Sequence, residues 1–142
     1  MQHPDSRNPS RSASEDPTAC PFCDERRVAA AVASNGSVLA IRDLYPVTEG
    51  HLLILPRRHT LDLFSMTSQE RNHALELIDT LRSDTQLKDP SILGFNVGVN
   101  CGAVAGQTVM HAHIHFIPRR AGDTADPRGG VRGVIPDKMN YQ

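Results

Sequence analysis

The chain has 142 residues, enough for one domain with a modest core. It is 39% hydrophobic with no Trp, two Tyr and four Phe, so that core must be aliphatic. A formal net charge of −1 excludes a protein held to nucleic acid or membrane by bulk charge, and no apolar run is long enough to span a bilayer.

Residues 1–18 carry four Ser, three Pro and almost nothing apolar, which reads as a disordered tail with no segment fit to serve as a signal peptide. The cytoplasm is the default expectation. Three Cys is an odd count, and two of them stand as Cys20-Pro-Phe-Cys23. In a reducing compartment that spacing points to metal or redox chemistry more than to a structural disulfide. The apolar stretches Val28–Ala33 and Ser37–Ile41 flank the Asn35-Gly36 turn signal and predict a β-hairpin. Tyr45-Pro46 and Glu49-Gly50 mark a loop, and His51–Leu55 predicts a buried strand stopped by Pro56.

Thr67-Ser68-Gln69-Glu70 has the spacing of a capping box. Beyond it Ala74, Leu75, Ile78 and Leu81 recur at helical spacing with Leu77 beside them, an amphipathic helix of about four to five turns packed on a sheet. Ile92–Val99 predicts a strand, Cys101–Gly106 a Gly-rich loop, and Val109–Ile117 a second strand ending at Pro118. Cys101 has no partner at metal spacing and reads as a small apolar residue. The tail 121–142 is an extended segment rich in Gly, Pro and charge, anchored only by Val131, Val134 and Ile135. Consecutive strands around one long helix predict an α+β fold with a largely antiparallel sheet.

In a strand, alternate side chains share a face. His111, His113 and His115 therefore point one way, and Ala112, Ile114 and Phe116 point into a core. Each imidazole needs partners for two nitrogens, so three in a row is a costly structural choice. Imidazole can act as a nucleophile, proton carrier, phosphate donor or metal ligand. The bland alternatives are a solvated strand face or a structural metal site. The glycines of Gly102–Gly106 let backbone N–H groups approach phosphate oxygens, and Gln107 and Thr108 can donate to the same oxygens.

The run His111-Ala-His113-Ile-His115-Phe-Ile117 resembles the signature of the histidine triad (HIT) family at every position. Gly106-Gln107-Thr108-Val109, Pro118-Arg119-Arg120, Asp43, and Gly50-His51 leading to Pro56-Arg57-Arg58-His59 extend the resemblance over about residues 20–120. It implies a five-stranded antiparallel sheet with one long and one short helix, within a single domain over 19–142. The sheet would extend across a homodimer. It also implies a nucleotidyl hydrolase with no nucleic-acid or membrane partner. The substrate would be a purine nucleoside phosphate derivative, either a dinucleoside polyphosphate or a phosphoramidate, cleaved at the α-phosphate.

By position, His113 is then the nucleophile, His115 and Thr108 meet the phosphoryl oxygens, and Asn100 faces the phosphate or leaving group. Asp43 matches the ribose-contacting position, with a turn carboxylate as the alternative. His51 lies near the site or serves as a core histidine. The zinc-bearing branch implies a closed, structural Cys₂His₂ site of Cys20, Cys23, His59 and His111, against free thiols. Arg119, Arg120, Arg128 and Arg132 are available to polyphosphate oxygens or to a solvated tail. Competing functions are a nucleotidyltransferase or phosphorylase using the same intermediate, which the retained His115 argues against, and a nucleotide-binding regulator with little turnover.

Overall fold

The computed structural model describes residues 19–141, and the tail expected over 1–18 lies outside them. The elements are α1 (Glu25–Ala29), β1 (Ala33–Asn35), β2 (Val38–Arg42), β3 (Leu52–Pro56), α2 (Ser68–Lys88), β4 (Ile92–Gly98) and β5 (Ile114–Arg120), with short 3₁₀ turns between and after them. The strands form one five-stranded sheet in the order β1-β2-β3-β5-β4, and every pairing is antiparallel. The α+β reading holds.

Several boundaries differ from the sequence expectation. Val28 lies in α1 and not in a hairpin arm, because Asp24 caps a short helix by accepting from the Arg26 N–H. The first arm is only Ala33–Asn35. The two loop residues are Gly36 and Ser37, with Gly36 at φ +54°, the positive φ that a type II′ turn needs at its first position. The helix runs 21 residues, longer than four to five turns. Its buried stripe is Glu70, Ala74, Leu77 and Leu81, while Leu75 points outward. Thr67 and Glu70 do form the capping box. Glu70 is buried there because Arg58 reaches it at 2.8 Å.

β5 starts at Ile114 rather than Val109 and runs through Pro118 to Arg120. Pro118 is tolerated because its carbonyl accepts from Thr48 Oγ1 on the β3 side, where the β3 ladder has already ended at Leu52. The absent N–H therefore costs no strand pairing.

β2 and β3 are buried on both faces. Val38, Ala40, Leu52, Ile54, Ile114 and Phe116 pack under α2. Leu39, Ile41, Leu53 and Leu55 pack on the other face against Cys20 and Phe22. His115 of β5 and the two histidines just before the strand share this second face, so the segment that covers half of it also reaches the site. Phe116 is fully buried at the centre of the first cluster. Phe116→Ala is expected to cost about 3–5 kcal/mol in denaturant unfolding, and a loss below about 1 kcal/mol would show that this cluster does not carry the fold.

Candidate active site and metal centre

A break in the ladder places His113. Because β5 begins one residue later, Val109–His113 runs beside the sheet without strand pairing, tied by the Ala112 N–H to the Thr60 carbonyl at 2.8 Å. The His111 carbonyl is thereby left for the ring of His113, whose Nδ1–H donates to it at 2.8 Å. That bond leaves the lone pair on Nε2. Phe22 stands edge-on to the ring with centroids 4.9 Å apart. Burial holds the His113 pKa below its ordinary value, with the His115 ring adding to the effect. The ring is therefore neutral near neutral pH.

His115 takes its tautomer from His51. The Val47 N–H donates to His51 Nδ1 at 3.1 Å, so the proton of the neutral His51 ring sits on Nε2. Nε2 lies 2.9 Å from His115 Nδ1 and donates to it. The proton of His115 is consequently on its own Nε2, available to an acceptor, and the ring lines a cavity of about 530 Å³. Burial lowers the pKa of both rings, against a raising effect of the Asp43 carboxylate. Asp43 Oδ2 is 3.4 Å from His51 Nε2 and 4.0 Å from His115 Nδ1. Its Oδ1 accepts from the Tyr45 N–H at 2.7 Å. Asp43 is thus a turn carboxylate, as one sequence reading has it, and its second oxygen faces the histidines.

Asn100 is half-buried and lines the cavity beside His115, and Thr108 is exposed. Gln107 is not presented to a ligand. It is buried, and its amide accepts from the Gly102 N–H and donates to the Leu61 and Val109 carbonyls. It holds the loop in shape in place of the expected substrate contact. Cys101 is half-buried and belongs to neither core cluster.

His111 faces away from this chemistry. Its Nε2–H donates to the Pro56 carbonyl at 2.8 Å, which leaves the Nδ1 lone pair for a ligand. Nδ1 is 3.5 Å from the Sγ atoms of both Cys20 and Cys23, and Cys23 Sγ is 3.4 Å from His59 Nδ1. All four donor atoms lie within 4.8 Å of one another. Zinc bonds of about 2.3 Å to sulfur and 2.0–2.1 Å to nitrogen at tetrahedral angles put S and N about 3.5 Å apart, so this set fits a zinc ion. Burial and the neighbouring Cys20 push the Cys23 thiol up to about 11. A cation is what would make two adjacent thiolates favourable there.

Three contributors lay outside the sequence expectation. Phe22, between the two cysteines, packs on His111 as well as His113. Val131 and Val134 of the C-terminal segment line the cavity. The Cys-x-x-Cys spacing hides the first as a spacer, and no periodicity marks the other two.

The HIT domain profile matches residues 26–122. An uncharacterized HIT-like protein from Mycoplasma genitalium is 36% identical over 72% of this chain and 74% of its own. An AP-4-A phosphorylase from Mycobacterium tuberculosis is 33% identical over 84% of this chain and 62% of its own. Among solved structures, a zinc-bound histidine triad family protein from Mycobacterium smegmatis superposes with a TM-score of 0.69 at 28% identity, covering 78% of this chain and 82% of that one. A HIT family protein from Bacillus anthracis gives 0.66 at 28%, covering 84% and 89%.

The buried histidines fix a pH dependence of stability. Folded His51, His113 and His115 titrate below their ordinary value, while in the unfolded chain they titrate near 6.5. Below about pH 6.5 the unfolded state therefore binds more protons, and stability falls as pH falls. Urea midpoints measured from pH 8 down to 5 are expected to drop below about 6.5, and a flat or rising midpoint would contradict the buried neutral rings.

Proposed function

The chain belongs to the HIT domain family, and on that premise we propose that it cleaves a nucleoside phosphate derivative at the α-phosphorus through a nucleotidyl intermediate on His113. The observation that carries this reading is the neutral ring of His113, with Nδ1–H fixed on the His111 carbonyl and Nε2 left free to attack. In the first displacement the Nε2 lone pair forms the bond to phosphorus, and the leaving group departs with its electron pair and takes a proton. Water then attacks the same phosphorus, releasing the nucleoside monophosphate and restoring Nε2. The Nε2–H of His115 donates to a phosphoryl oxygen, where charge builds in both steps, and Thr108 adds a hydroxyl. Asp43 accepts from the ribose, and Asn100 faces the leaving group. The base is adenine by analogy with relatives.

A second reading rests on the relative named AP-4-A phosphorylase. If phosphate captures the intermediate in place of water, the same residues release a nucleoside diphosphate.

Cys20, Cys23, His59 and His111 would hold a structural zinc ion. The S–N separations and the zinc-bound structural neighbour support this reading. With four protein ligands no position is open, so its contribution is to tie the Cys20–Cys23 segment to His111. Two chains joined by their sheets would meet along β4, an edge strand of seven residues with Leu93 and Val97 exposed, rather than the three-residue β1.

His113→Ala is expected to lower turnover of an adenosine phosphoramidate by on the order of 10⁴-fold or more. Mass spectrometry of the quenched unmutated enzyme should find AMP on His113, and full activity in the variant would refute the assignment. The acid limb of kcat/KM is expected below 6.5, since the attacking ring must be neutral; a limb at or above 6.5 would count against it. Metal analysis should find one zinc per chain, lost in Cys20→Ser together with thermal stability. A metal-free unmutated protein would remove zinc from the account.

A further inference from the structure

The C-terminal segment carries a role that neither its sequence nor the triad predicts. We propose that it forms the wall of the leaving-group subsite, and that the group it accepts is an uncharged, apolar carbon chain rather than a polyphosphate. The proposal rests on the nucleotidyl-His113 reading.

The position of the cavity supports it. Asp43, which would hold the ribose, lies on the β2 side, with its N–H on the His51 carbonyl. The cavity runs from Val47, Thr48 and His51, past His115, and opens out over β4. Its floor is His115 and Ile117 of β5 with Asn96 and Gly98 of β4. His115 lines it and His113 does not. In an in-line displacement the leaving group departs on the side away from the nucleophile. A phosphate held between His113 and His115 with its ribose at Asp43 therefore sends its third substituent over β4.

The wall is built into the fold. Gly129 has φ +92°, and a Cβ there would stand 2.4 Å from the Met139 carbonyl oxygen, so only glycine lets the segment close on itself. Gly130 then approaches Asn96, where a Cβ would be 3.7 Å from Nδ2. Val131 and Val134 are carried to the cavity rim, where they are 67% and 71% exposed. Exposed valines at the mouth of a cavity gain from an apolar occupant.

Charge weighs against the alternative. Among the described residues, Arg119 is the only arginine or lysine lining the cavity. Its guanidinium is held in two hydrogen bonds by Asp123, both 2.7 Å, and by Asn96 Oδ1 at 2.6 Å. The other three arginines that follow the triad are engaged as well. Arg120 pairs with Asp89, Arg128 with Asp126, and Arg132 donates to the Lys138 carbonyl and lies over Tyr141. A polyphosphate carrying about three or four negative charges would lose water there without gaining a free cation. An alkyl chain would meet Ile117 and the two rim valines.

The test is a series of adenosine 5′-phosphoramidates with methylamine, butylamine and hexylamine as leaving groups, run beside diadenosine tetraphosphate. In the unmutated protein kcat/KM should rise at least about tenfold from methyl to hexyl, and the tetraphosphate should be the poorest substrate. In the Val131→Ser/Val134→Ser double variant the hexyl-to-methyl ratio should collapse to within about twofold. Val134→Lys should shift the ratio toward the tetraphosphate. Turnover of the methyl compound that is lost in His113→Ala, with no dependence on chain length, would overturn the wall and leave the nucleophile standing. A tetraphosphate preferred over the hexyl compound would do the same. A protein inactive on every member would refute the nucleotidyl reading and the wall with it.

Discussion

The hydrogen bond from His113 Nδ1 to the carbonyl of His111 sets which nitrogen of the His113 ring is free. It exists only because that carbonyl has no strand partner, and it has none because the β5 ladder begins at Ile114. The neighbouring bonds serve the same end. Pro56 directs His111 Nδ1 toward the cysteines, and Val47 directs the proton of His51 toward His115. Each ring thus receives its tautomer from a backbone group, directly or through one other histidine. Backbone groups do not titrate, so the division of labour among four imidazoles is independent of pH until a ring itself takes up a proton.

Packing, more than ion pairing, holds this arrangement. The surface pairs Arg119–Asp123, Arg120–Asp89 and Arg128–Asp126 are partly or largely solvated, and such pairs contribute about 0–1 kcal/mol each. Fully burying a Leu, Ile or Phe side chain is worth about 1.5–3 kcal/mol, and β2 and β3 bury theirs on both faces. The cluster under α2 fixes the back of β5, and Phe22 with its neighbours fixes the front. The histidines occupy what remains of the front face. Arg58–Glu70 differs, since Glu70 is buried and would be left as an uncompensated charge without its partner.

The elements legible in the sequence were those with a local chemical cause. The capping box at Thr67, the apolar run of β3 and the glycine at the hairpin turn depend on neighbours within a few residues. The family signature made the grouping of His113, His115, Asp43 and His51 legible, and it also brought Cys20 and Cys23 to His59 and His111. What failed depended on distant partners. Val109–His113 alternates as a strand would, yet the Ala112 N–H bonds to Thr60 and the ladder begins only at Ile114. Leu75 fits the helical period, yet α2 turns Leu77 to the sheet in its place. Gln107 has the chemistry of a phosphate donor, and three backbone groups take it first. The valines at 131 and 134 have no pattern at all, because their place is set by the fold of β4 beneath them.

The end of the β5 ladder at Ile114 divides the site by local stability. Phe116 lies in an inner strand, paired on one side to Leu52 and on the other to Val97, so its amide is released to solvent only when several strand contacts open together. Ala112 depends on the single bond to Thr60. His113 stands at the border between these regimes. His115 is thus carried by a cooperative unit of the sheet. The ring of His113, two residues earlier, rides on backbone that lacks those strand contacts.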